Sequence, residues 1–101
     1  MEKHQTKQRE SILRTLSSYK SQLAAKYGVT RLGIFGSVAR DQATAESDVD
    51  IVVEMPPDLF MMVHMKEDLE QLLGTDVDLI RLHDNLNTYL RRRINDEAIY
   101  V

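Results

Sequence analysis

The sequence predicts an α/β fold of the α+β type, in which helices cover a small β-sheet in the order αβαβαβα. Three observations lead to this prediction. The 101 residues, 43% hydrophobic and 29% charged, have the size and composition of one ordinary globular domain. Long stretches repeat apolar residues at helical spacing. Short runs of branched aliphatic residues lie between them, as expected for strands. We therefore treat residues 1–101 as a single domain.

The composition excludes several classes of protein. There is no Cys, so neither a disulfide nor a cysteine-based zinc site can form. The N-terminus is too charged for a signal peptide, and no apolar run approaches the ~18 residues of a membrane span, so we expect a cytoplasmic protein. The net charge of −3 argues against a general nucleic-acid-binding protein. The charge is uneven, because residues 1–27 carry six basic and two acidic residues, which leaves −7 for the rest.

The first predicted helix spans residues 5–27 and ends at Gly28. Its apolar positions recur near helical spacing and include Ile12, Leu16, Leu23 and Tyr27. We expect this helix to pack on the sheet with its basic face in solvent, and contact of that face with a partner is the alternative. Residues 30–35 form the first predicted strand, which leads directly into Gly36.

A short helix over residues 37–43 is predicted next, with Ser37 as its cap. A second strand follows over residues 48–54. Because side chains alternate along a strand, its odd-numbered aliphatic residues face one way, whereas Asp48 and Asp50 face the other. One face of this strand is thus predicted to be buried and the other to carry carboxylates.

A longer helix is predicted over residues 59–73, with Asp58 as its cap and Gly74 as its stop. We expect its methionines, Met61, Met62 and Met65, to fill core space rather than to bind a cofactor, and contact with a partner is the alternative. One side of this helix has the apolar residues expected to face the core, namely Leu59, Met62, Val63, Leu69, Leu72 and Leu73.

The last elements are a strand, a helix and an apolar tail. Residues 76–80 form the third predicted strand, which repeats the Asp-Val-Asp pattern of the second. A last helix is predicted over residues 86–94, with Asp84 or Asn85 as its cap. The tail, residues 98–101, can add an edge strand.

The chemically informative stretch lies between residues 36 and 50. Gly36-Ser37 follows an apolar strand, and such a turn presents backbone N–H groups and a hydroxyl that suit a phosphate. After ten intervening residues, Asp48 and Asp50 point to the same face of a strand. Neighbouring carboxylates repel each other, and a cation between them removes that repulsion. Oxygen-only ligands beside a phosphate site indicate Mg²⁺, and hence a metal-dependent enzyme that acts on a nucleoside triphosphate.

Several other charged residues have two interpretations each. Arg40 lies one turn after Ser37, where its guanidinium can reach a phosphate, and a surface cation is the alternative. Arg91-Arg92-Arg93 point about 100° apart on a helix and form no single stripe. These arginines have two interpretations: they lie at a solvated helix end, or they contact a nucleotide, RNA or an acidic partner. A solvated acidic rim is the alternative to a metal site for Asp48, Asp50, Asp76 and Asp78.

Together these residues resemble the DNA polymerase β-type nucleotidyltransferase superfamily. The resemblance rests on Gly36-Ser37, the ten-residue interval to Asp48-x-Asp50, and Asp78 on a later strand, and it covers about residues 10–101. The flanking sequences FGSVAR, ESDVDIVVE and DVDLI are similar to its minimal members, the MntA-like (MNT) antitoxins of HEPN/MNT toxin–antitoxin pairs. Asp41 departs from the family pattern, because many relatives carry Gly at that position.

The resemblance implies a mixed sheet and two Mg²⁺ ions that bridge ATP and an acceptor hydroxyl. It implies that Asp48 and Asp50 hold the metals and the triphosphate. It further implies that Asp78 completes the shell of the first metal and assists loss of the acceptor proton. Gly36-Ser37 would grip the β- and γ-phosphates, with Arg40 as a further nucleotide-binding residue.

The resemblance also implies an activity and a partner. The implied function is that of an antitoxin of a type VII-like system, which transfers AMP from ATP to a tyrosine of a HEPN-family ribonuclease toxin and releases pyrophosphate. It would work in a hetero-oligomer with that toxin, without membrane or direct nucleic-acid contact. One alternative is an antitoxin that neutralises by binding only, with a vestigial metal site. Another is a nucleotidyltransferase for a small molecule such as an aminoglycoside, for which 101 residues leave little room.

Overall fold

The computed structural model describes residues 9–44 and 46–101. The predicted start of the first helix, residues 5–8, lies outside them. The helices and strands confirm the predicted order, and one further strand forms in the tail. They are α1 (Arg9–Tyr27), β1 (Arg31–Phe35), α2 (Gly36–Ala39), β2 (Val49–Glu54), α3 (Leu59–Leu73), β3 (Val77–Arg81), α4 (Thr88–Glu97) and β4 (Ile99–Tyr100). No helix in the described part of the chain is both long enough and apolar enough to cross a membrane.

The four strands form one mixed sheet in the order β3-β2-β1-β4. Strand β1 pairs antiparallel with β2 and β4, and β2 pairs parallel with β3. A parallel pair requires a crossover connection, which α3 supplies between β2 and β3. The tail forms an edge strand, as its sequence predicts. The Arg31 guanidinium lies 4.3 Å from the centroid of the Tyr100 ring and supports this edge.

The sheet buries a different cluster on each face. On one face, the odd-numbered residues of β2 pack with α1 and α3, in a cluster that includes Leu16, Leu23, Ile51, Val53, Met65 and Leu69. On the opposite face, α4 covers a smaller cluster built on Phe35, Val52 and Ile94. The predicted alternation along β2 is therefore confirmed. Asp50 lies two residues before Val52, so it shares the face that α4 covers.

Helix α3 has both of its predicted ends. Asp58 Oδ1 accepts a hydrogen bond from the Met61 N–H at 3.1 Å, and Gly74 ends the helix in a left-handed conformation. The predicted apolar face is wrong at its N-terminal end. Leu59 is 79% exposed and Val63 is 50% exposed, whereas Met65 is fully buried. The first turn follows the exposed Pro56-Pro57 segment and projects past the core, so burial begins only in the later turns.

Helix α2 differs from its prediction at both ends. It begins at Gly36, so Ser37 lies within its first turn and does not cap it. It ends at Ala39 instead of residue 43, because Asp41 adopts the left-handed conformation with φ +61°. Gly adopts this conformation without strain, so this backbone angle gives a physical reason for the Gly that the family resemblance implies at this position.

Helix α4 begins later than predicted and continues further. Its cap is Asn87, whose Oδ1 accepts a hydrogen bond from the Leu90 N–H at 3.1 Å, and not Asp84 or Asn85. Leu86 packs against the cluster under α4 instead of starting the helix. The helix starts at Thr88, after its Asn87 cap, and extends three residues past Ile94 to Glu97.

Candidate active site

Strands β2 and β3 bring two predicted site residues side by side. The strands begin at Val49 and Val77, each one residue later than predicted. Their parallel register pairs Asp50 with Asp78. Paired residues on neighbouring strands lie about 5 Å apart and point to the same face. Both carboxylates therefore lie on the α4 side of the sheet.

Asp50 is the carboxylate with the perturbed pKa. Burial raises its pKa above the ordinary value of 3.8, and the negative charges of Asp78 and then Asp48 raise it as well. The positive charges of Arg93 and Arg40 act in the opposite direction without cancelling the rise. The Asp48 and Asp78 side chains are exposed, whereas Asp50 is half-buried. Asp78 and Asp48 therefore repel the Asp50 carboxylate, and a bound cation would relieve that repulsion.

The donor atoms fit Mg²⁺ better than a transition metal, because all of them are carboxylate oxygens. Among residues 9–44 and 46–101, no three His, Cys, Asp or Glu side chains converge into a ready-formed metal cage. Mg²⁺ keeps several waters and is commonly bound by one or two carboxylates together with substrate phosphates, so a preformed cage is not required. Asp48, Asp50 and Asp78 stay predicted metal ligands.

The raised pKa of Asp50 predicts how its replacement changes stability with pH. At pH values well below 3.8, the carboxyl is protonated in both the folded and the unfolded protein, so it does not reduce the folding stability. As the pH rises from there through the folded-state pKa, the unfolded chain loses the proton first, so folding stability falls. We therefore expect metal-free Asp50→Asn to be more stable than the wild type at pH 7 and equally stable near pH 3. Urea unfolding at both pH values measures this difference, and equal stability at pH 7 would contradict it.

Gly36 forms the turn against which the Asp50 carboxylate rests. Its φ is +76°, and β1 leads into it directly. A Cβ at this position would fall far inside the van der Waals distance of Asp50 Oδ2. Gly alone satisfies both the backbone angle and the close approach. The predicted phosphate turn and the predicted metal ligands are thus in direct contact.

Ser37 and Arg40, the other predicted nucleotide-binding residues, lie on α2 and directly after it. Ser37 is partly exposed in the first turn of α2. The Arg40 guanidinium is held at two points, because Nη1 lies 3.0 Å from Glu97 Oε2 and Nε donates to Gln42 Oε1 at 3.0 Å. Arg40 is therefore an oriented cation beside the turn, although 41% of its side chain is exposed.

Glu97, the last residue of α4, is a site residue that the sequence did not predict. Its Oε1 accepts a hydrogen bond from the Gly36 N–H at 3.0 Å, and its Oε2 pairs with Arg40. Arg93 Nη2 lies 3.6 Å from Oε1. The contact with Gly36 spans 61 residues of sequence, so no local pattern could have indicated it.

The three consecutive arginines of α4 point in different directions, as their helical spacing predicts. Arg91 Nη2 donates to the carbonyl oxygen of His83 at 2.6 Å, and Arg92 is exposed. Arg93 lies 5.8 Å from the centroid of the Phe35 ring and pairs with Glu97. Arg92 is therefore solvated, whereas Arg93 lies beside the candidate site, and contact of these arginines with nucleotide, RNA or an acidic partner stays a prediction.

Comparison with known proteins identifies the family. Residues 16–101 match the nucleotidyltransferase domain family. The protein adenylyltransferase MntA of Thermococcus cleftensis is 36% identical over 94 residues, which cover 91% of this chain and 94% of that relative. The chain belongs to the nucleotidyltransferase family. This nucleotidyltransferase is similar to the minimal, MntA-like members, which confirms the resemblance carried by Gly36-Ser37 and Asp48-x-Asp50.

Solved structures agree with this fold. One, assigned by its name to the minimal nucleotidyltransferases, has a TM-score of 0.74 and 33% identity, and the match covers 97% of this nucleotidyltransferase and 98% of that chain. A toxin–antitoxin complex with AMP-PNP has a TM-score of 0.68 at 22% identity, covering 82% and 69% of the two chains. A complex of tri-AMPylated HEPN toxin with MNT antitoxin from Shewanella oneidensis has a TM-score of 0.66 at 19% identity. The match covers 91% of this chain and 70% of that chain. The minimal nucleotidyltransferase fold is thereby confirmed.

Proposed function

We propose that this nucleotidyltransferase is the antitoxin of a HEPN/MNT pair and that it transfers AMP from ATP to a tyrosine of its HEPN ribonuclease toxin. The tyrosine oxygen forms a bond to the α-phosphorus. The bond from that phosphorus to the oxygen bridging to the β-phosphate breaks, and pyrophosphate leaves. The observation that carries the proposal is the pairing of Asp50 with Asp78 beside the Gly36 turn.

The acidic residues have a distinct role in this reaction. Asp48, Asp50 and Asp78 would hold two Mg²⁺ ions. When bound there, Mg²⁺ would lower the pKa of the attacking hydroxyl and offset negative charge on the pyrophosphate that leaves. Asp78, which is exposed beside Asp50, is our candidate for assisting loss of the tyrosine proton.

The donors of the turn are the candidates for holding the triphosphate. Gly36-Ser37 offers backbone N–H groups and a hydroxyl, and Arg40 offers a planar guanidinium. These groups lie on the same side as the carboxylates, since Gly36 contacts Asp50. Such an arrangement would hold the β- and γ-phosphates so that the bond from the α-phosphorus to the leaving oxygen points away from the attacking oxygen, and this in-line geometry is what the transfer chiefly requires.

The names of related proteins support the identity of the acceptor. The Thermococcus relative is named a protein adenylyltransferase, and the Shewanella complex contains an AMPylated HEPN toxin. On this chain we therefore expect a protein acceptor and ATP as the substrate. AMP would inactivate the toxin by adding bulk and negative charge at its RNA site. We expect the pair to act as a hetero-oligomer in the cytoplasm, without a membrane or direct nucleic-acid contact.

Incubation with isotopically labelled ATP tests the proposal. The chain, Mg²⁺ and the HEPN protein encoded beside its gene are mixed with ATP labelled at either the α- or the γ-phosphate. We expect label on the HEPN protein from the α-position alone, and an intact mass higher by one or more AMP units. Transfer of the γ-label would instead indicate a kinase.

The variant Asp48→Ala separates catalysis from neutralisation by contact. We expect it to lose both the transfer of label and the protection of cells from the toxin. If protection survives while no label is transferred by either protein, the chain neutralises by binding only, with a vestigial metal site.

A further inference from the structure

One carboxylate holds both of the groups that we expect to meet the nucleotide phosphates. Glu97 accepts a hydrogen bond from the Gly36 N–H and pairs with Arg40. We propose that Glu97 is a positioning residue for the triphosphate, and that it acts by orienting Arg40. This inference rests on the proposed function, because it assumes that Arg40 contacts the phosphates.

The contacts of Arg40 fix the direction of its guanidinium. Its Nε donates to Gln42 and its Nη1 pairs with Glu97, each at 3.0 Å. A guanidinium is a rigid, planar fork, so two anchored nitrogens determine the plane of the third. The Nη2 donors are then directed before a nucleotide arrives, and less side-chain freedom is lost when it binds.

The ion pairs of Glu97 leave one positive charge for an anionic ligand. The formal charges of Arg40, Arg93 and Glu97 sum to +1, and the proposed Mg²⁺ would offset the neighbouring carboxylates of Asp48, Asp50 and Asp78. Only 18% of the Glu97 side chain is exposed, so its charge is largely enclosed by these partners. The carboxylate therefore organises the two arginines without cancelling their attraction for a triphosphate.

The opposite role for Glu97 would be that of a competing anion. A carboxylate on the Gly36 N–H occupies a donor that a phosphate could use, and it would have to move aside. The two roles differ in sign, because removal of the charge weakens nucleotide binding if Glu97 positions Arg40 and strengthens binding if Glu97 competes.

The variant Glu97→Gln distinguishes these roles. The amide oxygen can still accept from the Gly36 N–H, so the turn is kept while the ion pair with Arg40 is lost. We expect about tenfold weaker binding of a non-hydrolysable ATP analogue with Mg²⁺, the size of one lost charge-assisted contact, with AMP binding unchanged. In turnover, KM for ATP should rise more than kcat falls. Calorimetric titration and initial rates measure these quantities.

The matched control is Asp96→Asn, which removes one negative charge from the exposed neighbouring position of α4. It should bind the ATP analogue like the wild type, and both variants should keep the wild-type melting temperature. In an Arg40→Gln background, Glu97→Gln should cause no further loss, because Glu97 acts through Arg40. Arg40→Lys, which keeps the charge but lacks the planar guanidinium, should weaken binding of the ATP analogue by a similar factor.

Each other result overturns the inference. Tighter binding of the ATP analogue by Glu97→Gln would establish the competing role. Binding equal to that of the wild type, or a loss that is as large in the Arg40→Gln background as in the wild type, would exclude action through Arg40. If Glu97→Gln weakens AMP binding as much as ATP-analogue binding, the effect is a general structural one. If the wild type binds the ATP analogue normally in these cases, the proposed function stands. If the wild type binds no ATP analogue, the proposed function itself fails, and this inference fails with it.

Discussion

Asp50→Asn is expected to abolish nucleotidyl transfer while the protein stays folded. Asp50 is central to the candidate site, because it pairs with Asp78 across the strands and its Oδ2 rests on Gly36. Asn has nearly the same shape but lacks the negative charge that would hold Mg²⁺. We expect the rate to fall by about 10²- to 10³-fold or more, as when one preorganised electrostatic group is removed from an active site.

Single-turnover transfer of α-labelled AMP measures this loss, and far-ultraviolet circular dichroism checks the fold. The matched control is Asp58→Asn, which makes the same chemical change at the cap of α3. Asn caps a helix as well as Asp, so this control should keep both activity and stability. Transfer at the wild-type rate by Asp50→Asn would exclude the carboxylate from the reaction, whereas a collapsed dichroism spectrum would contradict its position at the rim of the core.

Gly36→Ala is expected to be the most damaging change that adds a single methyl group. The backbone at Gly36 has φ +76°, which costs a non-glycine residue about 1–2 kcal/mol. The new Cβ would also collide with the Asp50 carboxylate, which must then move. A displacement of about 1 Å in a catalytic group can cost about 10²-fold in rate. We therefore expect a loss of both activity and stability.

Gly74→Ala isolates the backbone strain from the collision. Gly74 has a similar φ of +68°, but nothing lies within 4 Å of a Cβ built there. This control should lose about 1–2 kcal/mol of unfolding free energy and keep full transfer activity. Chemical denaturation and labelled-AMP transfer, measured on both variants, make the comparison. If Gly36→Ala behaves like Gly74→Ala in both, the contact between Gly36 and Asp50 has no functional role.

Local sequence signals predicted the elements whose causes are local. The caps of α3 depend on one side chain, Asp58, and on one backbone angle, that of Gly74, so both ends were predicted correctly. The alternation along β2 follows from the strand period of two, and it correctly placed Val49, Ile51 and Val53 on the face opposite Asp50, although Val52 on the Asp50 face is buried as well. The interval from Gly36-Ser37 to Asp48-x-Asp50 carried the resemblance to the family, which the match over residues 16–101 confirmed.

Predictions failed where a distant contact competes with a local preference. Ser37 and Asn85 are good capping residues, yet neither caps a helix here. The turn at Gly36 starts α2 one residue early, and α4 begins only after its cap at Asn87. At the start of α3, Leu59 has the apolar character of a core residue but lies past the end of the sheet's buried cluster.

The sequence by itself determined the class of fold and, through its resemblance to known proteins, the family, and it supplied the candidate site residues, since these depend on residue type and on short spacings. The tertiary structure decided which of those residues touch. The register of β2 and β3 pairs Asp50 with Asp78, and the end of α4 brings Glu97 to Gly36 and Arg40. These contacts join segments far apart in the chain, and they arise from packing of the whole domain, which no local pattern records.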